Sequence, residues 1–382
     1  MIKKSKKTNK KSTITSKLHF SKIAVIVFVA ICIFTITFGM TFKTPLEKLL
    51  NRQNTIDSTQ ITQIDNDGLS IHFINVGQGD CIAIRFPDKK TMLIDAGPTE
   101  SIGKMLTYLN DMFFGEEPKI FDYLLLTHSD TDHCGGMVKI CQNYQVNKIY
   151  RPMIYYNYNG NKEQTTQSSP KYCTNYNYYA TITAFNDETS NIVFINLTNC
   201  NGIEKIQGEN YYFDFYSPTR LTKSVAYNDF SPIMVLNYNS KKIMFTGDAT
   251  TSGTEKYVVD DLPEVDILKV GHHGSKYSTS EDFLSKIMPK IAVIQSGNKY
   301  GHPNSETLTR LDYIGAKIYR NDQNGNIIAN ITSTDAQTNI YIDYNSINYN
   351  IKIEYVISGI ILLSAYFCFG INPTKTKKIN KK

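Results

Sequence analysis

The sequence predicts a layered α/β domain. Strand-like and helix-like stretches alternate from Leu69 onward, and chemically active residues recur where the strand-like stretches end. Tyr123–Gly136, reading YLLLTHSDTDHCGG, shows the pattern most clearly. Its apolar run reads as a buried strand, and the polar, glycine-bearing residues after it read as a loop. His128, Asp130, Asp132 and His133 fall within six positions of that loop. Two imidazoles and two carboxylates so crowded would repel or go unsatisfied without a positive charge among them. A divalent metal pair answers this, because neutral imidazole nitrogen and carboxylate oxygen are its usual ligands. A surface loop that happens to be rich in Asp and His is the plain alternative.

Taken in order, LSIHFINVGQGDCIAIRF from Leu69 reads as two strands joined by a glycine-bearing turn, and KKTMLIDAGP as a third ending at Asp95. A helix is expected over Ser101–Phe114, then the central strand and loop, a helix over Met137–Asn143 and a strand near Lys148–Met153. Arg151–Arg220 is the least legible stretch, heavy in Tyr and Asn, with KEQTTQSSPKYC as an exposed loop. A helix at Ala180–Phe185 and strands near Ile192–Ile195 and Tyr211–Tyr216 fit it. Its tyrosines suit either stacking on a substrate's rings or ordinary half-buried packing.

From Pro232, PIMVLNYNSKKIMFTGDA reads as a hairpin turning at Asn239–Ser240, its second strand ending at Asp248. Then come a helix near Gly253–Val259, strand VDILKV ahead of Gly271–Ser275, and a helix at Ser280–Ile287. Strand KIAVIQSG, the loop Asn298–Asn304, helix Ser305–Ile314 and strands near Lys317–Tyr319 and Asn326–Ile331 complete the body.

The ends differ in character. The formal net charge of +6 hides lysines clustered at both termini, eight of them within residues 1–22. Between Asp65 and Asn350, 24 Lys and Arg face 32 Asp and Glu, a net of −8. An acidic body lacks the net basicity of a strong nonspecific nucleic-acid binder, leaving only a local basic patch for such contacts. Seven cysteines show no CxxC pair, and the five in the body make a full disulfide framework improbable on number alone. Ile23–Phe42 is uncharged over 20 residues, the length of a membrane-spanning helix. Tyr355–Ile371, 17 apolar residues, is a second, shorter candidate. Lysine-rich flanks would keep both termini cytoplasmic and the body outside the cell membrane, in contact with the lipid bilayer only through the two spans. The expected organisation is a basic arm (1–22), a span (23–42), a linker (43–68), a catalytic domain (69–335, with an insert over about 154–210), a linker (336–354), a span (355–371) and a basic tail (372–382).

Further pieces can join the central loop. Asp95 ends a strand in LIDAG, where a carboxylate typically supports metal ligands from behind. Asp248 ends one in FTGDA, His272 and His273 end one in KVGHHGS, and His302 sits in YGHPNSE. Each alone has a packing or turn explanation; their recurrence at strand ends of one domain favours a shared site.

The order NVGQGDC, LIDAG, THSDTDHCGG, FTGDA, KVGHHGS and YGHPNSE resembles the metallo-β-lactamase superfamily, and within it the hydrolase domain of the ComEC competence proteins and their stand-alone relatives. The resemblance covers roughly Ser70 to Asn330. It implies a four-layer αββα sandwich with a metal site at one edge, usually of two ions. His128 and Asp130 would bind the first ion, Asp132 and His133 the second, Asp248 would bridge, and His272 or His273 would complete the second site. The second histidine of the commoner HxHxDH pattern is Asp130 here, and no histidine lies between His133 and His272. Asn228 or Ser231, in AYNDFS, is the candidate stand-in for the missing ligand, and the added oxygen ligands favour Mn²⁺ as well as Zn²⁺.

Two divalent ions against Asp130, Asp132 and Asp248 leave a slightly positive pocket, which suits an anionic ester. A metal-bridging water would ionise near neutral pH and attack in line. Asp132, His302 and whichever of His272 and His273 is free of metal are the candidate catalytic groups, and Gly79 and Asp80 of VGQGD shape the pocket floor. The expected function is a membrane-anchored phosphodiesterase or nuclease, acting on single-stranded DNA or another phosphodiester. The alternatives are hydrolysis of another ester such as envelope phosphocholine, or of a lactone or thioester, and a non-catalytic envelope-binding module with a degraded site.

Overall fold

Alternation along the first strand sets the architecture. Leu69, Ile71 and Phe73 are buried in a central apolar layer, while on the other side Ser70 bonds to His72, which meets Tyr108 and Phe113. In a computed structural model, residues 27–32, 64–189, 191–195, 206–217, 223–343 and 361 are described. The chain divides into two units, residues 1–53 with 349–382, and 54–348. Within the first, 27–32 and 361 are helical. Among the described residues no helix is long and apolar enough to cross a membrane; the runs 23–42 and 355–371 otherwise lie outside them.

Besides two small sheets, the larger unit is built on an eight-stranded and a six-stranded sheet. Its strands in chain order are β1 (Leu69–Phe73), β2 (Ile82–Arg85), β3 (Thr91–Ile94), β4 (Tyr123–Leu125), β5 (Ile149–Arg151), β6 (Ile192–Phe194), β7 (Tyr211–Tyr216), β8 (Ile233–Tyr238), β9 (Lys241–Phe245), β10 (Ile267–Lys269), β11 (Ile291–Ile294), β12 (Lys317–Arg320), β13 (Asn326–Ile331) and β14 (Thr338–Asp343). The first sheet runs β6-β5-β4-β3-β2-β1-β13-β14, and the second runs β7 to β12 in sequence order. β3, β4 and β5 are mutually parallel, as are β9 to β12, so their C-terminal ends gather at common edges.

The helices are α1 (Ile102–Tyr108), α2 (Thr131–Cys134), α3 (Met137–Asn143), α4 (Tyr176–Glu188), α5 (Thr254–Val258), α6 (Glu281–Ile287), α7 (Ser305–Tyr313) and α8 (Asn321–Asn324). Period-two burial gives each strand two apolar faces. Ile82, Ile84, Met92, Ile243, Phe245 and Val293 meet in the layer between the sheets, where Phe73 and Phe245 pack with ring centroids 6.5 Å apart. Ala83, Leu93 and Leu124 face Met105, Ile140, Ile182 and Phe185 of α1, α3 and α4. Met244, Leu268, Ala292 and Ile294 face Val258, Phe283, Leu284 and Leu311 of α5, α6 and α7. Each fully buried Leu, Ile or Phe contributes on the order of 1.5–3 kcal/mol. These layers make a four-layer αββα sandwich.

The hairpin turns at Asn239 and Ser240 as expected, both in the left-handed region that a two-residue turn requires. The helix expected over Ser101–Phe114 is α-helical only over Ile102–Tyr108 and loosens to a π-turn at Leu109–Phe114. The stretch from 336, expected as a linker, instead begins with β14, paired antiparallel to β13. Its half-buried edge position gives Thr338–Asp343 a weaker apolar signal than the central strands. In the Tyr- and Asn-rich insert, strands at Ile154–Tyr158, Asn161–Lys162 and Lys171–Cys173 form a small sheet. Buried Arg151 of β5 ties that sheet down, donating to Glu163 Oε1 at 2.8 Å and to the carbonyl of Ile154 at 2.6 Å.

Candidate metal centre

The site forms where strands end and the backbone turns sharply. After β3, Asp95 sits in the left-handed region at φ 56°; after β10, His272 and His273 do so at φ 47° and 54°. Such positions cost free energy for residues with a Cβ and cluster where function imposes them. Here they swing side chains from separate strands into one cleft. After β4, the chain runs extended through Asp130 and then starts α2, which carries Asp132 and His133 on a single turn. Gly79 (φ 137°) lets the 76–81 turn approach that helix, since a Cβ there would lie 2.3 Å from the carbonyl oxygen of Asp132.

His133 is the best-anchored member. Its Nδ1 lies 2.7 Å from Asp95 Oδ2, and Asp95 also accepts from Thr127 N at 2.8 Å and Thr127 Oγ1 at 2.7 Å. With Nδ1 donating to that carboxylate, Nε2 is left facing the cleft. His273 is arranged alike, its Nδ1 donating to the carbonyl of Gln295 at 2.9 Å. The two Nε2 atoms stand 3.3 Å apart. Asp248 Oδ1 is 3.3 Å from His133 Nε2, and Asp248 Oδ2 and Asp132 Oδ2 are 3.4 and 3.3 Å from His273 Nε2.

That spacing has a physical reading. Ligands at about 2.1 Å from a tetrahedral cation lie about 3.4 Å from one another. Ligand atoms of four side chains converge here at that separation, in a largely buried place where a cation or shared protons can satisfy them. Charge agrees with geometry. Burial opposes protonation of His133 and His273, yet Asp248, with Asp95 for the former and Asp132 for the latter, raises both well above the ordinary imidazole range. Burial likewise opposes ionisation of Asp248, and His273 and His133 still hold it well below the ordinary carboxylate range. The pocket therefore favours positive charge among its carboxylates, and its donor set fits a divalent ion.

His128 builds the second half. It is fully buried, its Nδ1 is 3.2 Å from Ser231 Oγ, and its Nε2 has no hydrogen-bond partner among the described residues. That nitrogen lies 3.6 Å from Asp130 Oδ2 and 3.9 Å from Asp248 Oδ2, so Asp248 stands between the two halves. His128, His133 and Asp248 form one compact trio of candidate ligands, and Asp80, His133 and His273 another.

The supporting and rim residues sort by position. Ser231 Oγ accepts from Asp248 N at 3.1 Å while touching His128, so it orients two candidate ligands from behind. Asn228 Nδ2 lies 3.4 Å from His272 Nε2, at the rim of the site. Of the adjacent histidines, His273 is buried at the centre; His272 is at the rim, 3.7 Å from Asp248 and facing His302 with ring centroids 5.5 Å apart. Burial, with the neighbouring histidines, lowers the pKa of His302. A cleft of about 360 Å³ opens over Asp130, Asp132, Asp248, His272, His273 and His302, with Lys299 and Tyr300 on its lip. Sequence reasoning missed Thr127, Gln295 and Lys269 around the site; for Lys269 the signal was a lysine at the end of the apolar strand VDILKV.

A model of the metallo-β-lactamase superfamily matches residues 74–203. The sandwich of this chain has the metallo-β-lactamase fold. It is 28% identical over 274 residues to ComE operon protein 3 of Bacillus subtilis, a match covering 67% of this chain and 32% of that protein. It is 26% identical over 270 residues to Recombination protein 2 of Haemophilus influenzae, covering 70% and 29%. To Competence protein ComA of Neisseria gonorrhoeae it is 25% identical over 255 residues, covering 66% and 30%. The chain spans about a third of the length of the curated relatives it matches. The metallo-β-lactamase fold typically binds divalent metals, and this chain carries candidate ligand clusters that suit them.

Proposed function

We propose that the metallo-β-lactamase domain is a metal-dependent phosphodiesterase acting on nucleic acid or another anionic phosphodiester. The convergence of His133 Nε2, His273 Nε2, Asp248 and Asp132 at 3.3–3.4 Å carries this reading. Those residues would hold one ion, and His128 and Asp130, sharing Asp248, a second; Zn²⁺ and Mn²⁺ both suit the mixed nitrogen and oxygen donors. Bound divalent ions supply a nucleophile from water at neutral pH and neutralise charge that develops on a phosphoryl group.

The chain's own residues do the rest. Asp95 and the Gln295 carbonyl fix which nitrogen of His133 and His273 faces the cleft. Ser231 orients His128 and Asp248. His272 and His302 line the open side, where a leaving oxygen would collect a proton. Lys299 beside Tyr300 on the lip offers a cation to a second phosphate and a ring to a base. Competence and recombination proteins among the relatives favour a nucleic acid over other esters.

The apolar runs 23–42 and 355–371, with their lysine-rich flanks, support anchoring in the cell membrane with the domain outside. Protease treatment of intact cells should then remove the domain and spare both termini. For the activity, metal analysis of the purified chain is followed by assay on bis-p-nitrophenyl phosphate and single-stranded DNA. Divalent ion together with phosphodiester turnover supports the proposal. Turnover of a lactone or thioester instead redirects the substrate class, and metal-free, inert protein sinks it.

A further inference from the structure

A lysine lies fully buried beneath the candidate ligands. Lys269, the last residue of β10, is 0% exposed, and its Nζ pairs with Asp80 Oδ2 and reaches the carbonyl oxygen of Gly247 at 3.3 Å. Asp80 is itself 1% exposed, and its other oxygen lies 3.3 Å from Nδ1 of His273. That oxygen has no hydrogen-bond partner among the described residues. Asp80 also belongs to a compact trio with His133 and His273, so it competes on geometry with Asp248 for a cation held by those imidazoles.

Charge separates the two carboxylates. The cationic partners of Asp248 among the described residues are histidines, with no lysine or arginine paired to it. Asp80 is already paired, and drawing it onto a cation would strip Lys269 of its counter-charge in a site closed to water, a costly arrangement. We propose that Lys269 is a positioning residue that withholds Asp80 from the metal centre. The ion would then be held by His133, His273, Asp248 and Asp132, with fewer charged ligands than if Asp80 joined them. The inference rests on the metal-centre reading above.

The test uses the full-length chain, stripped with a chelator and titrated with Mn²⁺ by calorimetry, and with Co²⁺ by visible absorption, which reports coordination number. Lys269→Met should bind Mn²⁺ at least about tenfold more tightly than the unaltered chain. Its Co²⁺ bands should weaken as a further ligand is added. Adding Asp80→Asn to Lys269→Met should return both readouts to those of the unaltered chain, and Lys269→Arg should leave them unchanged. A folded Lys269→Met protein with unchanged or weaker affinity overturns the inference while leaving the metal centre standing. If Lys269→Met does not fold, the neutral Asp80→Asn, Lys269→Met pair decides: ordinary affinity supports the inference, and a loss of about a hundredfold identifies Asp80 as a ligand and overturns it. No metal binding by the unaltered chain ends both.

Discussion

Asp95 Oδ2 lies 2.7 Å from Nδ1 of His133, with both side chains fully buried. The same carboxylate accepts from the backbone and hydroxyl of Thr127, so one side chain fixes the tautomer of a candidate ligand and the start of the loop that carries it. Asp95→Ala should weaken divalent-ion affinity about 10- to 100-fold, read by titration of the stripped chain. It should also lower unfolding free energy by about 1–3 kcal/mol through the orphaned donors, read by denaturant melts.

Asp248 touches both halves of the site. Asp248→Asn keeps the shape and the contact of its backbone N with Ser231 Oγ while removing the charge. Phosphodiester turnover should fall to background with an unchanged circular dichroism spectrum. Retained turnover at native metal content would exclude Asp248 from the chemistry.

Glu255 behaves differently because it is away from the cleft. It is 1% exposed and accepts from the backbone N–H groups of Thr279 and Ser280, bracing the loop that follows His273. Burial pushes its pKa up to about 7 from 4.5. The folded value lies above the unfolded one, so this contribution to stability is complete below pH 4.5 and is lost as pH rises through about 7. The shift corresponds to about 3 kcal/mol. Melts of Glu255→Gln and the unaltered chain across pH 4 to 8 should therefore converge at the acid end and separate above neutrality, with the variant the more stable. Parallel curves would show that Glu255 does not titrate in this range.

Gly79 has room for no side chain. A Cβ would meet the Asp132 carbonyl oxygen at 2.3 Å with the backbone already at φ 137°. Gly79→Ala should either push α2 and its Asp132 away from the site or destabilise the fold by several kcal/mol, in the range of about 1–3 kcal/mol for each strained element. Loss of metal affinity at retained secondary structure would mark the first outcome and a lowered melting temperature the second; native affinity and stability together would contradict the contact.

Most of the fold was legible because burial on a strand or helix is a local, periodic property. The hairpin at Asn239–Ser240, helix Met137–Asn143 and the strands Tyr211–Tyr216 and Asn326–Ile331 follow their apolar patterns residue by residue. Thr338–Asp343 was missed because an edge strand buries too little to impose a strong alternation. The three-stranded insert was illegible for another reason: its polar segments are held by Arg151 and Glu163, a pairing across twelve residues that leaves no periodic trace.

For the site, the sequence by itself determined the membership. His128, Asp130, Asp132, His133, Asp248 and His273 are grouped by chemistry and by their recurrence at strand ends, both of which are properties of the chain read in one dimension. Tertiary structure alone decided the assignments within it. His273 rather than His272 reaches the centre because two successive left-handed residues turn one imidazole inward and the other to the rim. Lys269 meets Asp80 because the two sheets of the sandwich bring positions 189 residues apart into contact, and pairing between distant charges is set by packing.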